Sequence, residues 1–241
     1  MRNVIIACVI VVVGLLACPV QADIFMGNGG TGFGDVLGNG TLEVTASGST
    51  INGTLTPGPG ALNDFVVIYI DSIAGGATDT ASFVDTQDPN RNAISGFDGG
   101  NRSIANFAPG FGADFAISFD SGFGGLWQLD NNSNFTFVDS INLSPTGTTT
   151  ATDYTFDFDF SEVGITSVDS LDFVATYLSS TAFRSNEAIG ASDAPSGGTN
   201  IGNGAITFTS FETFNASSIP EPASATLMVG VCLFGASRRR R

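Results

Sequence analysis

The sequence predicts an all-β protein, an antiparallel β-sandwich placed between an N-terminal signal peptide and one short C-terminal apolar helix. Three observations carry this. Short runs rich in Phe, Val, Ile and Tyr recur between connections dominated by Gly, Ser, Thr, Asn and Asp, the pattern of strands joined by turns. Residues 154–160 alternate strictly, with Tyr154, Phe156, Phe158 and Phe160 on one side and Thr155, Asp157 and Asp159 on the other, as a half-buried strand requires. Apolar stretches stand at both ends of the chain, each flanked by charge or by small residues.

At the N-terminus, Arg2 precedes an apolar run over 4–17, and Val20-Gln21-Ala22 supplies small residues before the cut. This predicts a signal peptide over 1–22 that passes the Sec translocon and is cleaved by signal peptidase between Ala22 and Asp23. Leu15-Leu16-Ala17-Cys18 offers a lipoprotein alternative, although Leu16 and Pro19 depart from that pattern. Residues 23–60 read as N-terminal strands of the ectodomain, at 41–46 and 50–56, and 57–60 marks a break before the sandwich core, 61–214. Residues 64–71 are apolar on both sides, which places that strand centrally. Further strands fall at 113–120, 125–129, 135–139, 171–178 and 204–214, with a single helical turn at 161–164. Residues 186–203 read as a long loop and 215–218 as a linker. The three Gly-Phe-Gly tripeptides, around Phe33, Phe111 and Phe123, fit no repeat period and read as turns carrying one buried ring.

Composition bounds the function. Cys8, Cys18 and Cys232 all lie outside 23–218, so no disulfide staples the domain and a core of about 195 residues must hold it. That span has 22 acidic residues against three basic ones, Arg91, Arg102 and Arg184, for a net charge of −19, and it has no Lys or His. Nucleic acid is excluded as a partner, because phosphate neutralisation needs clustered cations. Without His, Cys or Lys the usual nucleophile activators and bases are missing, which leaves carboxylates, Tyr and three Arg, and the domain is expected not to be an enzyme. A glycosidase needs only two carboxyls. Asp157 and Asp159, about 7 Å apart on one strand face, are that distant alternative; the other reading is a solvated face.

The tail is the most specific segment. Ile219-Pro220-Glu221-Pro222 precedes an apolar run over 223–236, and Ser237 then leads into Arg238, Arg239, Arg240 and Arg241. Pro220 and Pro222 keep the backbone extended and open to a peptidase. Fourteen helical residues span roughly 21 Å, short of the hydrocarbon core of about 30 Å. The arginines snorkel and hold the terminus on the cytoplasmic side. This arrangement over 219–241 resembles the PEP-CTERM domain, by which Gram-negative bacteria hand exported proteins to the membrane peptidase exosortase. The resemblance implies a cell-envelope or extracellular-matrix protein, transiently in the inner membrane, working beside exopolysaccharide in biofilm.

A second resemblance covers roughly 61–214. Asp64-Phe65-Val66-Val67-Ile68-Tyr69-Ile70-Asp71, Gly112-Ala113-Asp114-Phe115-Ala116-Ile117, residues 154–164, and Phe173 to Leu178 leading into Ser185-Asn186-Glu187-Ala188 look like the DOMON-like or family 9 carbohydrate-binding-module sandwich, beside which jelly-roll and immunoglobulin-like arrangements stay open. It implies a fold more than a ligand. Its members bind sugars, haem or calcium. Haem is excluded here by the absence of His. For a sugar, Trp127, the only tryptophan, with nearby Asp130 and Asn131, is the candidate, against the alternative that it is a core residue. For calcium, Asp88, Asn90 and Asn92, and Asp130, Asn132 and Asn134, offer oxygens at alternate positions, with Asp71 and Asp79 as a separate set. Neither run is an EF-hand, and solvated turns explain the same residues.

Overall fold

The computed structural model describes residues 22–130, 134–166 and 169–216. The expected signal peptide, 1–22, lies outside them except for Ala22, and so does the expected tail over 219–241. Two antiparallel sheets face one another, and a third, less regular layer covers the outer side of the larger sheet.

The smaller sheet runs β1 (Ala22–Met26), β2 (Thr41–Ser47), β3 (Thr50–Thr56) and β9 (Tyr154–Asp159), in that order. The strands expected at 41–46, 50–56 and 154–160 thus appear, the last ending at Asp159, and β1 is added at an edge where no strand was expected. Leu42, Val44, Ala46, Ile51, Leu55, Phe156 and Phe158 are buried inward, while Thr45, Asn52 and Asp157 are partners in register on the outer face. The section before Pro57 is therefore three-quarters of one sheet, and 57–60 is a connection inside the sandwich. Ala22 and Asp23, the expected cleavage point, are the first residues of β1 and pair with Thr45 and Val44. The outer edge of β9 is covered: Ser144 bridges Thr155, and the Asp157 N–H donates to the Ile141 carbonyl at 2.9 Å.

The larger sheet has β4 (Phe65–Asp71) near its centre, flanked by β10 (Ser170–Leu178) and β6 (Phe115–Phe119), then β7 (Gly124–Gln128) and the edge strand β8 (Thr136–Ser140). The free side of β10 is shared by β11 (Arg184–Ile189) and β13 (Glu212–Asn215). β4 is buried on both faces because the sheet is sandwiched. Val66, Ile68 and Ile70 meet the small sheet, whereas Val67 and Tyr69 meet the third layer.

That third layer holds α1 (Pro89–Ser95), the parallel pair of β5 (Ile104–Asn106) with β12 (Ala205–Thr207), and a Phe-rich core including Phe83, Phe107, Phe111 and Phe208. It corrects the reading of the chain in several places. A helix stands at 89–95, where turns were expected: Asp88 accepts the Arg91 amide as N-cap, Pro89 occupies the first turn, and Gly96 closes the helix at φ 57°. β11 occupies the start of the segment expected to be a loop over 186–203. The run 204–214 is two strands in different sheets, since 208–211 turns the chain from β12 to β13. Asn215 belongs to β13 and Ala216 is buried, so the fold continues into the expected linker. The turn at 161–164 is a 3-10 turn over Phe160–Val163.

Candidate functional site

The most exposed aromatic patch of the large sheet lies on β7 and β8. Phe123 is 43% and Phe137 45% exposed, and Trp127 beneath them is 2% exposed. Gly125 and Trp127 share one face of β7 by the two-residue period, Phe123 stands in the turn just before that strand, and Phe137 is the register partner of Trp127. The Phe rings lie 6.5 Å apart with planes 30° from parallel, and the indole stands nearly edge-on to both. Gly125 makes this possible: a Cβ there would come within 2.8 Å of the indole and 2.9 Å of the Phe137 ring. Phe123 is set by its turn, where the Asp120 carboxylate accepts the Gly122 and Phe123 amides at 2.7 and 2.9 Å. Trp127, the sequence's sugar candidate, is thus a core side chain and no open platform, with Arg91 5.9 Å from its ring centre. The turn around Phe123 was expected to bury its ring and instead displays it; Phe33 is likewise 37% exposed, and Phe111 alone of the three is buried. No residue-level signal separates the three tripeptides, because exposure is decided by what each turn faces.

At the end of the same sheet, where β4 and β7 finish and β6 and β8 begin, a polar cleft of about 400 Å³ is lined by Ile73, Asp114, Gln128, Asp130 and Thr136, among others. Asp114 is buried, and its Oδ2 accepts the Ile73 and Ser72 amides at 3.0 and 3.2 Å. Burial raises its pKa above the ordinary carboxylate value, and those two amides offset part of the rise. Asp71 nearby is also raised, first by burial; the Gly112 amide opposes this, and repulsion from Asp114 and Asp172 adds to it.

The calcium candidates do not converge. Asp88 is occupied as the α1 cap and by the Arg91 guanidinium at 2.8 Å. Asn90 Oδ1 accepts the Ser118 hydroxyl in the interior, and Asn92 donates to the Ser180 carbonyl. The helix turns successive side chains by about 100°, so alternate positions that would share one side of an extended loop diverge. Asp130 lines the cleft and Asn134 is exposed, whereas Asn131 and Asn132 lie outside the described residues. Asp71 accepts from Gly112 and Asp79 from Ala81. Among the described residues, no group of three acidic side chains is arranged to hold a metal. On β9, Asp157 accepts from Asn142 and Asp159 from Thr50, and both are only partly exposed.

The buried polar residues that reading of the sequence missed are structural. Glu187 on β11 is fully buried, and its two oxygens accept the amides of Gly34, Asp35, Val36 and Leu37 between 2.6 and 3.1 Å, together with the Ser185 hydroxyl at 2.7 Å. Asn186 beside it accepts the Gly32 amide and donates to the Pro195 and Gly197 carbonyls. Arg184 is also fully buried; Nη1 donates to Thr176 at 3.1 Å, and burial lowers its pKa while Tyr69 opposes the shift.

The family model described as the PEP-CTERM protein-sorting motif matches residues 218–241. That motif implies a secreted, cell-envelope-targeted protein. The segment matched holds Pro220, Glu221, Pro222 and Arg238 to Arg241, and exosortase is the processing partner it implies. No curated protein and no solved structure matches the chain.

Proposed function

We propose that this protein is a non-catalytic component of the bacterial surface or extracellular matrix, held beside exopolysaccharide after exosortase has removed its tail. The route runs through the inner membrane of a Gram-negative cell, with the ectodomain outside. The observation that carries this reading is the motif at 218–241, whose proline hinge, apolar run and arginine cluster are parts of one sorting signal. A passive role is supported by the carboxylates on β9, which serve neighbouring side chains, and by the lack of His, Lys and thiol in 23–218.

The test places one epitope before Ile219 and another after Arg241 and follows both through cell fractions with and without the exosortase. Loss of the terminal epitope alone in the wild type, with membrane retention in the deletion strain, supports the route. An intact carboxyl terminus on soluble cytosolic protein overturns it. A second reading, a carbohydrate-binding surface module, is favoured by the two exposed Phe rings on the large sheet.

A further inference from the structure

We infer that the Phe123–Phe137 pair is a stacking subsite for an uncharged polysaccharide chain. This rests on the reading that the protein works beside exopolysaccharide, and it names the residues and the ligand charge that the reading leaves open.

The geometry comes first. Phe123 and Phe137, each nearly half exposed, hold their rings 30° from parallel and 6.5 Å apart and form one apolar patch on the scale of a sugar ring or two. The patch is braced from below. Trp127 packs edge-on against both rings, at 6.4 and 5.6 Å between centroids, and Gly125 leaves the space for that contact. Phe123 is fixed by the Asp120 turn, and Phe137 sits at a register shift, where Leu126 pairs with Asp139 but Trp127 with Phe137. Such a bulge on an edge strand re-aims the side chains beside it. Ring faces held this way lose little conformational freedom on binding, which favours weak, repeated contacts along a polymer.

Charge selects the occupant. The span 23–218 carries −19, and its three arginines are committed: Arg91 to Asp85 and Asp88, Arg102 to the Thr80 and Phe83 carbonyls and over the Phe97 ring, and Arg184 to the interior. An anionic polymer therefore meets repulsion with no cation to meet it. A second copy of the chain brings another −19. A neutral glycan presents the apolar C–H faces of its rings to aromatic carbon and carries no charge to repel. Phe33 and Phe183 form another exposed pair, but their planes are 50° apart and Phe33 leans on Tyr177, so they provide the internal comparison.

The experiment uses the processed protein from its host, titrated by calorimetry and by the fluorescence of its one tryptophan with soluble β-glucan, galactomannan and dextran, and with alginate as the anionic polymer. The expected result is binding to at least one neutral polymer, weakened tenfold or more by F123A/F137A and changed less than twofold by F33A/F183A, with alginate not bound. Both double variants are checked for cooperative melting. If Phe123→Ala with Phe137→Ala fails to melt cooperatively, Phe123→Ser alone takes its place. Binding unchanged in that variant, equal loss in both pairs, preference for alginate, or no binding to any neutral polymer overturns the subsite. Matrix fractionation separates the two claims. Wild type and F123A/F137A retained alike in the matrix overturn the subsite alone, and wild type absent from the matrix overturns the underlying reading.

Discussion

The Glu187 carboxylate accepts the Val36 amide at 2.6 Å across 151 residues of chain. With the Gly34, Asp35 and Leu37 amides on the same carboxylate, this contact turns a Gly-rich segment into a fixed clasp between the start of the domain and β11. A buried carboxylate is costly unless its lone pairs are filled, and here backbone donors fill them.

Glu187→Gln replaces one acceptor oxygen with an NH₂ group that faces amides. We expect a loss of about 3 kcal/mol in urea unfolding. Hydrogen exchange at residues 34–37 should quicken more than at β4, where the sheet protects the amides independently.

Asp64, Asp71 and Asp114 all have raised pKa values, each first through burial. The folded state therefore binds protons that the unfolded chain, titrating near 3.8, releases. Their contribution is fully present below the unfolded value and is lost as pH rises through the folded ones. Between pH 7 and about 4 the urea midpoint should rise as pH falls, and Asp114→Asn should reduce that slope. A midpoint that falls steadily over this range contradicts the assignment.

Trp127→Ala removes a buried ring from under Phe123 and Phe137 and should cost about 3–5 kcal/mol. Loss of glycan binding in that variant is uninformative, because its platform loses support. Trp127→Phe, which keeps an aromatic brace, should retain most of the stability when melting is followed by circular dichroism.

Asp88→Ala removes the α1 cap and should cost about 1 kcal/mol. The cost should be the same with calcium or with chelator, since the other oxygens of that run serve the fold. A calcium-dependent difference in melting between wild type and this variant would restore the segment as a metal site.

Alternation made β9 legible: it buries Tyr154, Phe156 and Phe158 and leaves Thr155 outermost, which is the pattern in the letters, whereas β1 gave no such signal. The doubly buried β4 was legible as an unbroken apolar run. The third layer was not, because its helix is seven residues long and its signal is the cap Asp88-Pro89 with Gly96, too brief for any apolar period. Its acidic and amide residues invited a metal reading that helical geometry disperses. β11 was hidden because it is buried on both faces and four of its six residues are Arg184, Ser185, Asn186 and Glu187, and polar side chains with tertiary partners look like loop. At the candidate site, Trp127 drew attention as the largest ring, yet the flanking phenylalanines reach solvent. The sorting motif was legible because it is a signal of local sequence.

The segment that bridges Ser144 to Thr155 and feeds Asp157 through Ile141 also has a bearing on how copies of the domain meet. A bare border on β9 would be a template on which the next molecule could zip, seeding fibres as copies accumulate. By wearing its own chain along that border, the domain closes β9 to such pairing.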